Sequence, residues 1–142
     1  MPEPKQTIKN GKLIHYSVGT IIRRDDKYLL IERMKFPFGF AGPAGHIDEG
    51  EKPEEAMRRE VMEETGFIVR ECRLLFHEFI EWNECSRGVK GHDLWLYACV
   101  VEGKEQRNVL ETKSIGWFSL EEIKHLPLET VWDYIFKKMQ LL

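Results

Sequence analysis

GHIDEGEKPEEAMRREVMEETGF, residues 45–67, decides how the rest of the chain is read. Its second half carries helix punctuation. Pro53 suits a first helical position, Glu54 and Glu55 suit the positive end of the helix dipole, and Gly66 suits a left-handed terminator. Together these predict a helix over residues 53–65. Successive helical residues lie about 100° apart. With Pro53 at zero, Ala56, Met57 and Val61 fall near ~300°, ~40° and ~80° and mark the protein-facing side. Glu63, Glu60 and Glu64 fall near ~280°, ~340° and ~20°, in the same inward half, whereas Glu55, Arg58 and Arg59 lie outward.

An acidic helix is ordinarily a solvated face laced with ion pairs four residues apart. That reading suits Glu54–Arg58 and Glu55–Arg59. It fails for Glu60, Glu63 and Glu64, which point inward, and Glu60 and Glu64 repel one another. Arg59 can pair with Glu63, but one guanidinium does not neutralise three carboxylates. Buried charges must be paired or coordinated. Oxygen ligands of this hardness select Mg²⁺, Mn²⁺ or Ca²⁺ over zinc. In the preceding loop, Gly45 and Gly50 let the backbone turn sharply and approach a ligand, where a carbonyl can add another hard oxygen. Taken alone, that loop is an ordinary glycine turn before a helix.

The wider chain sets bounds. Its 142 residues, 42% of them hydrophobic, suit one domain, 1–142, with a real core. A net charge of −3 gives no basic field to attract a nucleic acid polymer, so a phosphate-bearing ligand must be held by a local device. Cys72, Cys85 and Cys99 are odd in number and form no CxxC pair, which points to a reducing, cytoplasmic setting. The polar N-terminus lacks an apolar signal region and no stretch is long enough to span a membrane. Strand-like runs at 13–23 and 27–33 flank a turn at Arg24-Asp25-Asp26, and residues 36–50 read as loop. Strands near 67–82, 91–102 and 114–118 follow, with the polar stretch 83–91 between the first two, then helices near 119–125 and 128–140. This mixture argues an α/β sandwich.

The stretch also resembles the signature of the Nudix hydrolases. Gly45, Glu51, Arg59, Glu60, Val61, Glu63, Glu64 and Gly66 all stand at signature positions, and Phe67 takes the last one, usually aliphatic. Weaker agreement covers the hairpin before it and GWFSLEEI, residues 116–123, which is similar to the strand-to-helix passage of MutT-type members. The resemblance implies an α/β/α sandwich with a mixed sheet. It also implies Mg²⁺-dependent cleavage, with Mn²⁺ able to substitute, of a diphosphate linked to another moiety. Carried over by position, Glu60, Glu63 and Glu64 hold the metal with the Gly45 carbonyl, and Glu51 and Arg59 form a bracing salt bridge. Glu60 or Glu63 can accept the proton of the attacking water, and Glu111 is the nearest equivalent of the later-loop base used by some relatives. The expected partner is a small nucleotide or other diphosphate, bound by a monomer or homodimer.

Arg33 and Lys35, before the glycine-rich loop, are candidates for substrate phosphate, or simply exposed cations at a strand end. Trp82, Trp95 and Trp117 read as core or sheet-edge aromatics rather than base-stacking platforms. His77, His92 and the cysteines stand at no zinc spacing, and an oxygen-rich site does not need the His46 imidazole, so zinc is not expected. No proline lies between Pro53 and Pro127, which disfavours the ADP-ribose pyrophosphatase type. The downstream motif of NADH pyrophosphatases is missing, and Trp82 stands where dinucleoside polyphosphate hydrolases often have Tyr. A MutT-like nucleotide hydrolase is the default. The alternatives are a sensor domain that binds without cleaving, against which the intact signature argues, and an isopentenyl diphosphate isomerase-like enzyme, whose upstream Cys this chain lacks.

Overall fold

Strand β2, Lys12–Arg24, is the axis on which the other strands assemble. The computed structural model describes residues 3–82, 84, 85 and 87–142. Strand β1, Gln6–Lys9, and strand β5, Ala44–His46, both pair antiparallel with the first half of β2. Its end turns back into β3, Lys27–Arg33, which pairs with β4, Gly39–Ala41, and with β8, Thr112–Ser119. On its other side β2 runs parallel to β7, Gly91–Glu102, from Ile14 opposite Gly91 to Ile22 opposite Cys99. The outer neighbour of β7 is the antiparallel β6, Ile68–Ile80. One parallel pairing among antiparallel ones makes the sheet mixed.

Helices cover both faces, because successive strand residues point to opposite sides. Val18, Ile22, Leu29, Tyr97 and Cys99 face helix α1, Pro53–Thr65, and pack on its Ala56, Met57 and Val61. Ile21, Tyr28, Leu30, Leu94 and Leu96 face the other way. They meet Trp132, Ile135 and Phe136 of α3, Thr130–Lys138, and Ile123 of the short α2, Leu120–Ile123. Full burial of a side chain such as Phe136 contributes about 2–3 kcal/mol. The result is an α/β/α sandwich with two apolar layers.

The structure departs from the sequence reading at several edges. Asn10 and Gly11, with φ of 51° and 75°, close a two-residue hairpin that adds β1, a strand the hydrophobic pattern does not announce because its residues are all exposed. The first turn narrows to Asp25-Asp26, with Asp25 at φ 57°. Two three-residue strands, β4 and β5, lie within the segment read as loop. The last helices are shorter than read, since Ser119 caps α2 and Glu129 caps α3 from outside, each accepting a backbone N–H at 3.2 Å. The stretch read as a loop over 83–91 includes Asn83 and Ser86, and the polar N-terminus includes Met1 and Pro2, all outside the described residues. Among the described residues no helix is long and apolar enough to cross a membrane.

Candidate active site

Helix α1 begins where expected, with the Glu55 carboxylate accepting the Lys52 N–H at 2.9 Å. It stops at Gly66, whose φ of 79° is left-handed and whose N–H reaches the Met62 carbonyl. Between these ends the helix lies against β5, and that contact builds the site. Glu64 is only 3% exposed and its Oε1 accepts the Ala44 N–H at 3.1 Å. One residue on, Gly45 passes so close to Glu60 that a Cβ would overlap the carboxylate. Any side chain there would displace the Glu60 carboxylate.

Arg59 corrects the helical wheel. Placed outward by its Cα position, its long side chain folds back into the groove. Its Nε and Nη2 donate to Glu51 at 2.8 and 3.0 Å, a forked pair, and Nη2 also donates to the His46 carbonyl at 2.9 Å. Its Nη1 donates to Glu60 at 2.8 Å and Glu63 at 3.2 Å. The expected Glu55–Arg59 pair does not form, whereas Glu54–Arg58 does, at 3.2 Å. Glu63 also departs from the wheel: its side chain is 47% exposed and stands at the rim, while that of Glu60 is 12% exposed.

The electrostatics follow from this layering. Burial pushes the Glu60 carboxyl up to about 7, with Arg59 opposing and Glu63 and Glu111 adding. Glu64 is raised well above the usual range by complete burial and then by Glu60, against the Ala44 N–H. Glu51 is held low by the Arg59 guanidinium. The two carboxyls are thus under-neutralised: Glu60 shares Arg59 with Glu51 and Glu63, and Glu64 has only the charge of Arg33 nearby. Glu60, Glu63, Glu64 and the Gly45 backbone suit a hard divalent cation, which removes that conflict.

These groups line a cleft of about 590 Å³ that also contains Arg33, Lys35, Arg87 and Glu111. Arg33 is half-buried with its Nε on the Pro37 carbonyl at 2.6 Å, and Lys35 is exposed. The Glu111 carboxylate has no hydrogen-bond or ion-pair partner among the described residues. Trp117 lies under the Arg24 guanidinium at 4.6 Å, Trp95 stacks on His77 at 3.7 Å, and Trp82 is 51% exposed, edge-on to Tyr134.

A second group, at the wall of the cleft, was missed by sequence spacing. His15, His46, Cys85 and His92 each bring a ligand-type atom to within 4.8 Å of the others. They come from β2, β5, the loop after β6 and β7, so no short motif announces them. The pairing supplies the reason: His15 and His92 are register partners across the parallel β2–β7 ladder. Burial and then the nearby His46 lower the basicity of His15. Burial raises the Cys85 thiol, but the His46 and His92 imidazoles and the Arg87 and Val89 backbone outweigh it and bring it down to about 4.

A glycine-tight turn and an acidic helix laid across a mixed sheet define a pyrophosphohydrolase of the Nudix type. A NUDIX domain profile matches residues 13–139, and the chain belongs to that family. It is 33% identical over 131 residues to an ADP-ribose pyrophosphatase of Methanocaldococcus jannaschii, covering 88% of this chain and 75% of that protein. It is 29% identical over 118 residues to the nucleoside triphosphatase NudI of Escherichia coli, covering 76% of this chain and 84% of the other. The fold matches a MutT Nudix hydrolase from Burkholderia pseudomallei with a TM-score of 0.76 at 23% identity, over 87% of this chain and 96% of that one.

Proposed function

We propose that the chain, as one domain over residues 1–142, is a Mg²⁺-dependent hydrolase of a nucleoside diphosphate linked to a further group, acting in a reducing, cytoplasmic setting. The observation that carries the reading is the Glu60–Glu64 pair held against Ala44 and Gly45, with Glu64 buried and in no ion pair among the described residues and Glu60 sharing Arg59 with Glu51 and Glu63. Glu60, Glu63, Glu64 and the Gly45 carbonyl would hold Mg²⁺ or Mn²⁺. When bound, the ion supplies positive charge to the phosphoryl oxygens and acidifies water. Arg59, braced by Glu51, fixes Glu60 and ties the helix to the His46 carbonyl. Arg33 and Lys35, which line the same cleft, receive the phosphates. Glu60 and Glu63 both accept from Arg59 and serve the metal, which makes them poor bases. Glu111, without a side-chain partner among the described residues and lining the same cleft, takes the proton from the attacking water.

The sequence reading turned away from ADP-ribose on the absence of a proline. The relative with 33% identity over 88% of the chain is named for that substrate, so ADP-ribose is the first compound to test. Nucleoside triphosphates come second, after NudI. Hydrolysis with Mg²⁺ in ¹⁸O-labelled water is expected to place the label in a phosphate product. Label confined to a non-phosphate fragment, or no turnover of either class, sinks the reading.

A further inference from the structure

The four side chains His15, His46, Cys85 and His92 do no work in the hydrolytic scheme, yet they converge on one point, where His46, Cys85 and His92 line the cleft and His15 is buried. We infer that they form a closed, four-ligand zinc site, separate from the carboxylate site, which pins the loop between β6 and β7 to the sheet. The donor set is one thiolate and three imidazoles, a borderline-soft combination that suits Zn²⁺ and rejects Mg²⁺.

The geometry is close to that of a tetrahedral ion. Zinc bonds of about 2.05 Å to nitrogen and 2.3 Å to sulfur set tetrahedral edges of about 3.3 Å for N···N and 3.6 Å for N···S. His15 Nδ1 lies 3.3 Å from His46 Nε2, and Cys85 Sγ lies 3.8 Å from His15 Nδ1. The two imidazoles can share one hydrogen bond at this distance, whereas an ion between them gives each nitrogen a bond.

The outer shell is also in place. A metal-bound imidazole normally donates its second N–H to a fixed acceptor. The Nε2 of His15 lies 3.2 Å from the Gln6 side-chain oxygen, which leaves Nδ1 for the ion. The Nδ1 of His92 lies 3.2 Å from the Lys90 carbonyl, which leaves Nε2. That Nε2 is buried and has no hydrogen-bond partner among the described residues, on a residue 6% exposed. An orphaned buried nitrogen aimed at a thiol and two further imidazoles is an independent sign of a missing ligand.

The position gives the site a structural role. Cys85 opens a tight turn in which the Gly88 N–H reaches the Cys85 carbonyl and the Cys85 N–H reaches the Val89 carbonyl, each at 2.9 Å. Arg87, within that turn, lines the cleft. Zinc at Cys85 therefore holds the turn, and Arg87 with it, over the substrate cleft. His46 and Gly45 are adjacent on β5, so one strand serves both metals, by a backbone oxygen and by an imidazole.

The test uses the untagged full chain. Zinc titrated against a chromophoric chelator is expected to bind at one equivalent with a dissociation constant of about 50 nM or tighter. X-ray absorption at the zinc edge is expected to show one sulfur at about 2.3 Å and nitrogens at about 2.05 Å. Cobalt in its place should give intense tetrahedral visible bands with a sulfur charge-transfer band. Cys85→Ser should abolish that band and weaken zinc at least ~100-fold, since changes outside the ligand shell alone cost 10–100-fold. Glu60→Gln/Glu64→Gln should keep the zinc equivalent, which separates this site from the hydrolytic one whatever the substrate proves to be. Should Cys85→Ser not fold, the wild-type spectra decide alone. A shell of oxygen and nitrogen only, no binding below micromolar concentrations, or zinc lost with the glutamates but kept in Cys85→Ser overturns the proposal.

Discussion

The Gly45 backbone and the Glu60 carboxylate touch so closely that no Cβ fits between them. Gly45→Ala must therefore push either the strand or the carboxylate away. The carboxylate is the tip of a flexible side chain and gives way more readily than the strand, so the cost in stability is small. Turnover is expected to fall ~100-fold or more if the displaced carboxylate holds the metal as proposed. Melting curves and kcat at saturating Mg²⁺ check both, and an alanine variant with wild-type turnover refutes the packing argument.

Glu55 and Glu64 are the same residue type on one helix, one solvated and one buried. Glu64→Gln is expected to reduce kcat ~100-fold or more, about 2.7 kcal/mol of transition-state stabilisation, while the fold survives. Glu55→Gln keeps an acceptor for the Lys52 N–H and should change stability by under ~0.5 kcal/mol with turnover intact. Similar rates for the two variants would mean that Glu64 binds nothing.

Burial raises Glu60 from 4.5 to about 7, and Glu64 moves in the same direction. A carboxyl raised on folding binds its proton more tightly in the folded state. Its contribution is fully present below the unfolded value and is lost as pH rises through the folded one. Metal-free protein is therefore expected to lose roughly 3 kcal/mol on this account between pH about 4.5 and about 7. Chemical denaturation across that window should show the loss in wild type and a flatter profile in Glu60→Gln. An identical slope in both assigns the effect to other groups.

A divalent ion that binds only the folded state removes the same repulsion. At ten times its dissociation constant, Mg²⁺ should add about 1.4 kcal/mol. The gain should vanish in Glu60→Gln/Glu64→Gln. Equal shifts in melting temperature for wild type and double variant exclude binding at the helix.

The parts that were legible in the sequence are local. Pro53, Gly66 and the spacing of Ala56, Met57 and Val61 lie within a few turns of one helix, so its bounds and apolar face could be read directly. The Arg59 side chain could not be placed that way, because a wheel locates Cα atoms while a long guanidinium reaches back to Glu51. Strand β1 stayed hidden since all of its residues are exposed, although Asn10-Gly11 was a hairpin signal in plain view. The His15–His92 pairing depends on which strands lie side by side and in what register, and no periodicity encodes that.

The parallel ladder of β2 and β7 also sets an order of events. Helix α1 lies between the two strands in the chain, yet its inner face rests on Val18 and Ile22 from one and on Tyr97 and Cys99 from the other. A chain emerging from the ribosome presents the apolar face of the helix before β7 exists to cover it. The contact that crowds Glu60 and Glu64 is with Ala44 and Gly45 of β5, which precede the helix in the chain. The electrostatic cost can therefore fall early, and the docking of β7 then seals the apolar layer. Mg²⁺ that binds after sealing slows unfolding and leaves the folding rate unchanged, which stopped-flow refolding with and without the ion can distinguish.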